Sequence, residues 1–110
     1  MGLHETYSLC AKLKEGPVLS KVTSVGEKGC TRMFIGSINV SIVYTPRIDY
    51  NENIFYQWLQ NVSTTGTIYI PYDVDWRTAP RNGDGIPAGW EIKYIDPDTM
   101  EERESLYPIS

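Results

Sequence analysis

Residues 49–63 have the sequence DYNENIFYQWLQNVS, and the fold predicted for the rest of the chain depends on this stretch. Four apolar side chains fall on one face at helical period, at i, i+1, i+4 and i+5: Ile54, Phe55, Trp58 and Leu59. Asp49 or Asn51 could accept hydrogen bonds from the N–H groups of the first turn. The pattern therefore predicts an α-helix over about 50–61.

A helix this short is marginal in water, so its apolar face must be covered by another element. Most of the remaining chain has the alternation or the β-branched content of strands, interrupted by Gly, Pro and Asp turns. The predicted strands are 7–13, 18–25, 30–44, 67–72, 90–95 and 101–107. We therefore predict a single α+β domain over residues 1–110, with an antiparallel sheet or sandwich of about six strands and the helix packed on it.

The composition fits one folded domain, because 41% of the 110 residues are hydrophobic and 12% are aromatic. The net charge of −4 is uneven: residues 71–110 carry nine Asp and Glu against four Arg and Lys. An acidic half repels nucleic-acid phosphates, which argues against DNA or RNA as a partner. The charge favours a basic protein partner, a cation, or simply solubility.

The sequence leaves the cellular compartment open. No apolar run reaches the length of a membrane span, and the N-terminal stretch 1–30 lacks the apolar centre of a signal peptide, so we expect a soluble protein. Cys10 and Cys30 are the only cysteines. They are either two buried thiols in a reducing compartment or one disulfide in an oxidising compartment.

We expect a protein without enzymatic activity, because the sequence lacks the parts of an active site. His4 is the only histidine and lies in a loose start, where no neighbours would orient the imidazole for catalysis. Neither a phosphate-binding Gly-rich loop nor a metal-spaced His pair is present. A hydrolase whose site is not recognisable from the sequence remains an alternative.

The string NGDGIPAGWEIKY at residues 82–94 resembles the DGxPDGWE segments of thrombospondin-type-3-like bacterial repeats. Asn82, Asp84 and Glu91 fall on positions 3, 5 and 12 of a calcium loop, so the resemblance implies a calcium site on these three residues. Pro80 occupies position 1, where the loop normally has Asp, and Ala88 occupies position 9. A calcium-stabilised extracellular module is therefore one alternative function.

The same string is also similar to the LPxGWE opening of WW domains and, with the two early cysteines, to part of the fungal MAX-type effectors. The resemblance to the MAX-type effectors implies a small secreted β-sandwich. A generic explanation accounts for every one of these similarities: Gly85 and Gly89 permit sharp turns, Pro87 stiffens the chain, and Trp90 anchors a strand in the core. We favour this explanation and assign no family.

Trp76 stands between Asp75 and Arg77 in a polar loop, and two interpretations are open. The indole either plugs the end of the sheet or is an exposed anchor for a partner, since Trp, Tyr and Arg dominate interface hot spots. The second interpretation predicts a partner-binding patch of Tyr72, Trp76, Arg77 and Arg81.

Taken together, these features predict a small non-catalytic protein-interaction protein of the virion-accessory, inhibitor, immunity or effector type. It would bind its partner through the aromatic and arginine loop and the acidic C-terminal half. The sequence does not define the oligomeric state.

Overall fold

The computed structural model describes residues 19–25 and 29–109. Within these ranges the strands are β1 (Ile42–Tyr44), β2 (Gly66–Pro71) and β3 (Trp90–Ile95). They form one sheet in the order β1-β2-β3, and both pairs of neighbours are parallel. A single 3₁₀ turn at 19–21 is the only helical element in the described part of the chain.

The predicted antiparallel six-stranded sheet with a helix is wrong. The strands predicted at 67–72 and 90–95 correspond to β2 and β3, but they run parallel. The segment 30–44 is a run of turns that becomes a strand only at β1, and 101–107 contributes one bridge, between Ile95 and Glu102. One parallel sheet is also not the sandwich that the effector resemblance implies. The predicted strand 7–13 lies outside the described residues.

The register shows why the strands are parallel. Val43 pairs with Ile68, which pairs with Ile92, so successive partners are separated by long and nearly equal lengths of chain. A chain that must return to the same end of a sheet needs a long connection, whereas a hairpin needs only a short turn. We therefore divide the described chain into coil one (19–25 and 29–41), coil two (42–65) and coil three (66–89). The coils stack on one another, and β3 begins a further turn of the chain.

A second main-chain ladder joins coils one and two away from the sheet. Four N–H groups of coil one donate to carbonyls of coil two, each 24 residues further along the chain, at 2.8–2.9 Å: Cys30 to Ile54, Arg32 to Tyr56, Phe34 to Trp58 and Gly36 to Gln60. Helical residues would instead use these carbonyls for N–H groups one turn further along the same segment. The ladder therefore takes the place of the helix predicted over 50–61.

Backbone conformation breaks the predicted helix at two positions. Gln57 and Asn61 have positive φ, at 51° and 58°. Their counterparts in coil one, Arg32 and Gly36, also have positive φ, at 56° and 75°. A left-handed residue ends a right-handed turn, so both coils bend at equivalent places.

Among the described residues no helix is long and apolar enough to cross a membrane.

The interior is built from equivalent positions of successive coils. Leu19, Val43 and Ile68 each lie one coil apart, and all three are at most 2% exposed. Beside them lies an aromatic cluster with neighbouring ring centroids 4.7–5.9 Å apart: Tyr50, Phe55, Trp58 and Trp76. The burial predicted for Phe55 and Trp58 is therefore confirmed, although stacked coils bury them and not an antiparallel sheet.

Each of the three tryptophans ties together separate parts of the stack through its indole N–H. Trp58 donates to the Gly85 carbonyl at 2.9 Å, and Trp76 donates to the Ile48 carbonyl at 3.0 Å. Trp90, at the start of β3, donates to the Ser63 carbonyl at 2.8 Å. Satisfying a buried N–H avoids the cost of an unpaired donor, so these bonds fix the indoles without a penalty.

Residues 96–109 form an arm that folds back on the last strand. Arg103 N–H donates to the Tyr94 carbonyl at 3.1 Å, and Leu106 N–H donates to the Tyr72 carbonyl at 2.9 Å. The Arg103 guanidinium lies 3.9 Å from the centroid of the Tyr72 ring. The arm therefore covers part of the outer edge of β3 and attaches to the chain just after β2.

The question of a Cys10–Cys30 disulfide lies outside the described residues, because Cys10 is not among them. Cys30 is 1% exposed and belongs to the core. His4 likewise lies outside the described residues.

Gly66 provides a test of the close packing between coils. A Cβ at this position would lie 2.5 Å from the Ser41 carbonyl oxygen and 2.6 Å from Trp90 Cε2. We expect Gly66→Ala to lower the free energy of unfolding by about 1–3 kcal/mol, because overpacking displaces rigid neighbours. Urea denaturation measures this change.

The matched control is Gly36→Asn. A Cβ at Gly36 meets no atom within 4 Å, and Asn tolerates the left-handed backbone found there. A Gly66→Ala protein as stable as wild type, or less affected than Gly36→Asn, would contradict the packing described for β2 and β3.

Candidate binding surfaces

Trp76 is buried. Its side chain is 1% exposed, its ring packs against Tyr50, Phe55 and Trp58, and its indole N–H is bonded to Ile48. The indole is therefore a core group between coils two and three, and in this structure it is not available as an anchor for a partner.

The other three residues of the predicted patch are engaged by the chain itself. The Tyr72 ring is covered by Arg103, and Arg81 Nη2 donates to the Trp90 carbonyl at 3.1 Å. The Arg77 guanidinium binds Asp75 and also lies 5.2 Å from the centroid of the Tyr107 ring. Tyr72 and Arg77 thus each contact the arm, through Arg103 and Tyr107 respectively. A role in partner binding for Tyr72, Arg77 and Arg81 stays a prediction.

The Asp75–Arg77 pair has a clear electrostatic consequence. Arg77 Nε and Nη2 donate to the two Asp75 carboxylate oxygens at 3.0 and 2.9 Å, and the Arg77 backbone N–H donates at 3.0 Å. These bonds favour the charged carboxylate and lower the pKa of Asp75 to about 2. The cation at Arg77 is therefore locally neutralised.

The residues of the predicted calcium loop make hydrogen bonds and a strand pairing within the chain. Asn82 Oδ1 accepts the Asp84 N–H at 2.8 Å, and Asp84 Oδ1 accepts the Gln57 N–H of coil two at 2.8 Å. Glu91 lies on β3 and pairs with Thr67. Within 19–25 and 29–109, no group of three or more His, Cys, Asp or Glu side chains is placed to hold a metal ion. Calcium binding by Asn82, Asp84 and Glu91 stays a prediction.

The outer face of the sheet carries a stacked tyrosine pair that the sequence analysis missed. Side chains alternate along each strand, so the buried Val43 and Ile68 point inward while their neighbours point outward. Tyr44 and Tyr69 are register partners, with ring centroids 4.5 Å apart and planes 11° from parallel. Burial and the neighbouring Tyr69 raise the pKa of Tyr44. In the sequence, the two tyrosines are related only by their separation of one coil. This relation can be seen only after the coil repeat is known.

Ile42 extends this outer face. It is 63% exposed and pairs with Thr67 at the start of the strands. Of the outward positions on β3, Glu91 is exposed, the Lys93 ammonium lies 3.6 Å from a Glu102 carboxylate oxygen of the arm, and Ile95 is buried. We define the outer sheet face as the outward side chains of the three strands that are at least partly exposed: Ile42, Tyr44, Thr67, Tyr69, Glu91 and Lys93.

A depression of about 410 Å³ lies between coils two and three. We call it the coil depression, and it is lined by Tyr50, Glu52, Asn53, Tyr56, Thr78, Pro80 and Asp84. The Tyr50 hydroxyl donates to the Asp84 carbonyl at 2.6 Å. Burial, followed by the charges of Asp84 and Glu52, raises the pKa of Tyr50 to about 12. The coil depression therefore combines aromatic rings with two carboxylates.

Comparison of the chain with protein families, curated proteins and solved structures found no match.

Replacing Arg77 tests the ion pair with Asp75. In Arg77→Gln the guanidinium bonds are lost, so we expect the pKa of Asp75 to rise from about 2 toward its ordinary value of 3.8. An NMR titration of the side-chain carboxyl carbons measures this directly. An Asp75 that titrates near 3.8 in the wild-type protein would contradict the pair.

Tyr50 should ionise at a pH of about 12, well above the ordinary tyrosine value of 10.0. Because its pKa is higher in the folded than in the unfolded chain, its contribution to stability is complete below pH 10. That contribution is lost as the pH rises from 10 to about 12. NMR titration of labelled tyrosine rings measures the pKa, and Tyr50→Phe assigns the resonance. Ionisation of Tyr50 near pH 10 would show that its hydroxyl is not held as described.

Proposed function

We propose that the chain is a non-catalytic protein-binding module whose partner docks on the outer sheet face. The observation that carries this proposal is the stacked pair of Tyr44 and Tyr69 beside the exposed Ile42. Aromatic side chains supply large contact areas and are enriched among interface hot spots. Because the two rings already hold each other in place, they lose little conformational freedom on binding.

The charge around this face favours a basic partner. Glu91 is exposed on the face itself, and Glu101 and Glu104 are exposed on the neighbouring arm. Lys93, the cation of the face, is paired with Glu102. Complementary charge speeds association and selects against acidic partners, nucleic acids among them.

Selection from a phage-displayed library of random peptides, with the whole protein as bait, tests the proposal. We expect enrichment of peptides that combine Lys or Arg with apolar residues. Binding of an enriched peptide should weaken about tenfold or more in Tyr69→Ala and in Ile42→Asp, since central interface side chains cost more than about 1 kcal/mol when removed. Isothermal titration calorimetry measures both affinities.

Leu106→Asp is the matched control, because Leu106 is 63% exposed, as is Ile42, but belongs to the arm. Its affinity for the peptide should be no weaker than that of wild type, because the added carboxylate does not oppose a basic peptide. Failure to enrich any peptide, or equal losses in Leu106→Asp and Ile42→Asp, would refute the outer sheet face as the binding surface.

A further inference from the structure

We infer that the coil depression is a subsite for an arginine side chain of the protein partner, an inference that rests on the proposed function for the identity of its ligand. Its volume of about 410 Å³ falls within the range of small-ligand sites, roughly 300–1,000 Å³. A guanidinium group on a flexible stem fits an open site of this kind.

The charge of the lining selects a cation. Two of the seven lining residues are acidic, Glu52 and Asp84, and none is basic. Both carboxylates act on the same group, since each helps to hold the Tyr50 phenol in its neutral form. Their fields therefore overlap inside the coil depression, and a positive charge placed there would be stabilised by both.

The shape and chemistry of the lining favour arginine over lysine. Tyr56 is 44% exposed and contributes an aromatic ring, and Asn53 and Thr78 contribute exposed polar groups. The Arg32 guanidinium lies 5.7 Å from the centroid of the Tyr56 ring, a contact of the kind that a ligand guanidinium would make. A planar guanidinium stacks on aromatic rings and offers five donors to carboxylate and amide oxygens, whereas an ammonium is a compact, strongly hydrated charge.

The lining is also fixed in place, which lowers the cost of binding. The Asp84 carboxylate accepts the Gln57 N–H, and the Tyr50 hydroxyl donates to the Asp84 carbonyl. Asn51 Oδ1 accepts the Asn53 N–H at 2.8 Å and so shapes the turn that carries Glu52. The two bonds of Asp84 connect coils two and three around the coil depression before any ligand arrives.

Titration of the ¹⁵N-labelled whole protein with N-acetyl-arginine methylamide tests the inference. We expect saturable amide shifts centred on Asn53, Gln57 and Thr78, with a midpoint on the order of millimolar, as suits a single side chain. The neutral citrulline analogue should produce no saturable shift, and the lysine analogue should bind at least threefold more weakly.

Two variants locate the site. Glu52→Gln alters one exposed side chain and should raise the midpoint at least threefold, whereas Asp98→Asn, at an exposed carboxylate of the arm, should leave it unchanged. Equal shifts with citrulline, shifts spread over all exposed carboxylates, or equal effects of the two variants would overturn the inference. Because the readout is the amides of coils two and three, this result is independent of the peptide tests made at Ile42 and Tyr69.

Discussion

The structure depends on main-chain hydrogen bonds between neighbouring coils. These bonds form the parallel sheet on one side of the stack and the ladder from Cys30–Gly36 to Ile54–Gln60 on another. A coil cannot bury its own apolar side chains, so Leu19, Val43 and Ile68 become a core only when the coils stack. The tryptophan indoles further stabilise the stacked coils, because each indole donates its N–H to a carbonyl in a separate part of the chain.

Stacking also determines what the surface offers to other molecules. Equivalent positions of neighbouring coils lie side by side, so the widely separated Tyr44 and Tyr69 become one stacked pair on the outer sheet face. The same geometry brings the turn at Glu52 and the loop at Asp84 together around one depression. Each group combines side chains from two different coils, and neither group has a recognisable local motif.

The sequence predicted the local features of this fold better than its topology. Period-two alternation located β3, and apolar spacing identified Phe55 and Trp58 as core residues. The same spacing predicted a helix because nothing in Gln57 indicates a left-handed backbone, and Asn61, a residue type that adopts it readily, stands at the predicted end of the helix.

The coil repeat itself was not recognised, since equivalent residues such as Leu19, Val43 and Ile68 share only their apolar character. The polar neighbours of Trp76 leave both burial and exposure open, because the aromatic cluster that buries it comes from coil two. Scalar couplings across hydrogen bonds, measured by NMR on the ¹⁵N,¹³C-labelled protein, test the stacked-coil account most directly. The account predicts couplings from the amide nitrogens of Arg32 and Phe34 to the carbonyl carbons of Tyr56 and Trp58, and from Thr67 to Ser41. Couplings from each amide of 54–60 to the carbonyl one helical turn before it, with none between coils, would establish a helix there and contradict the account.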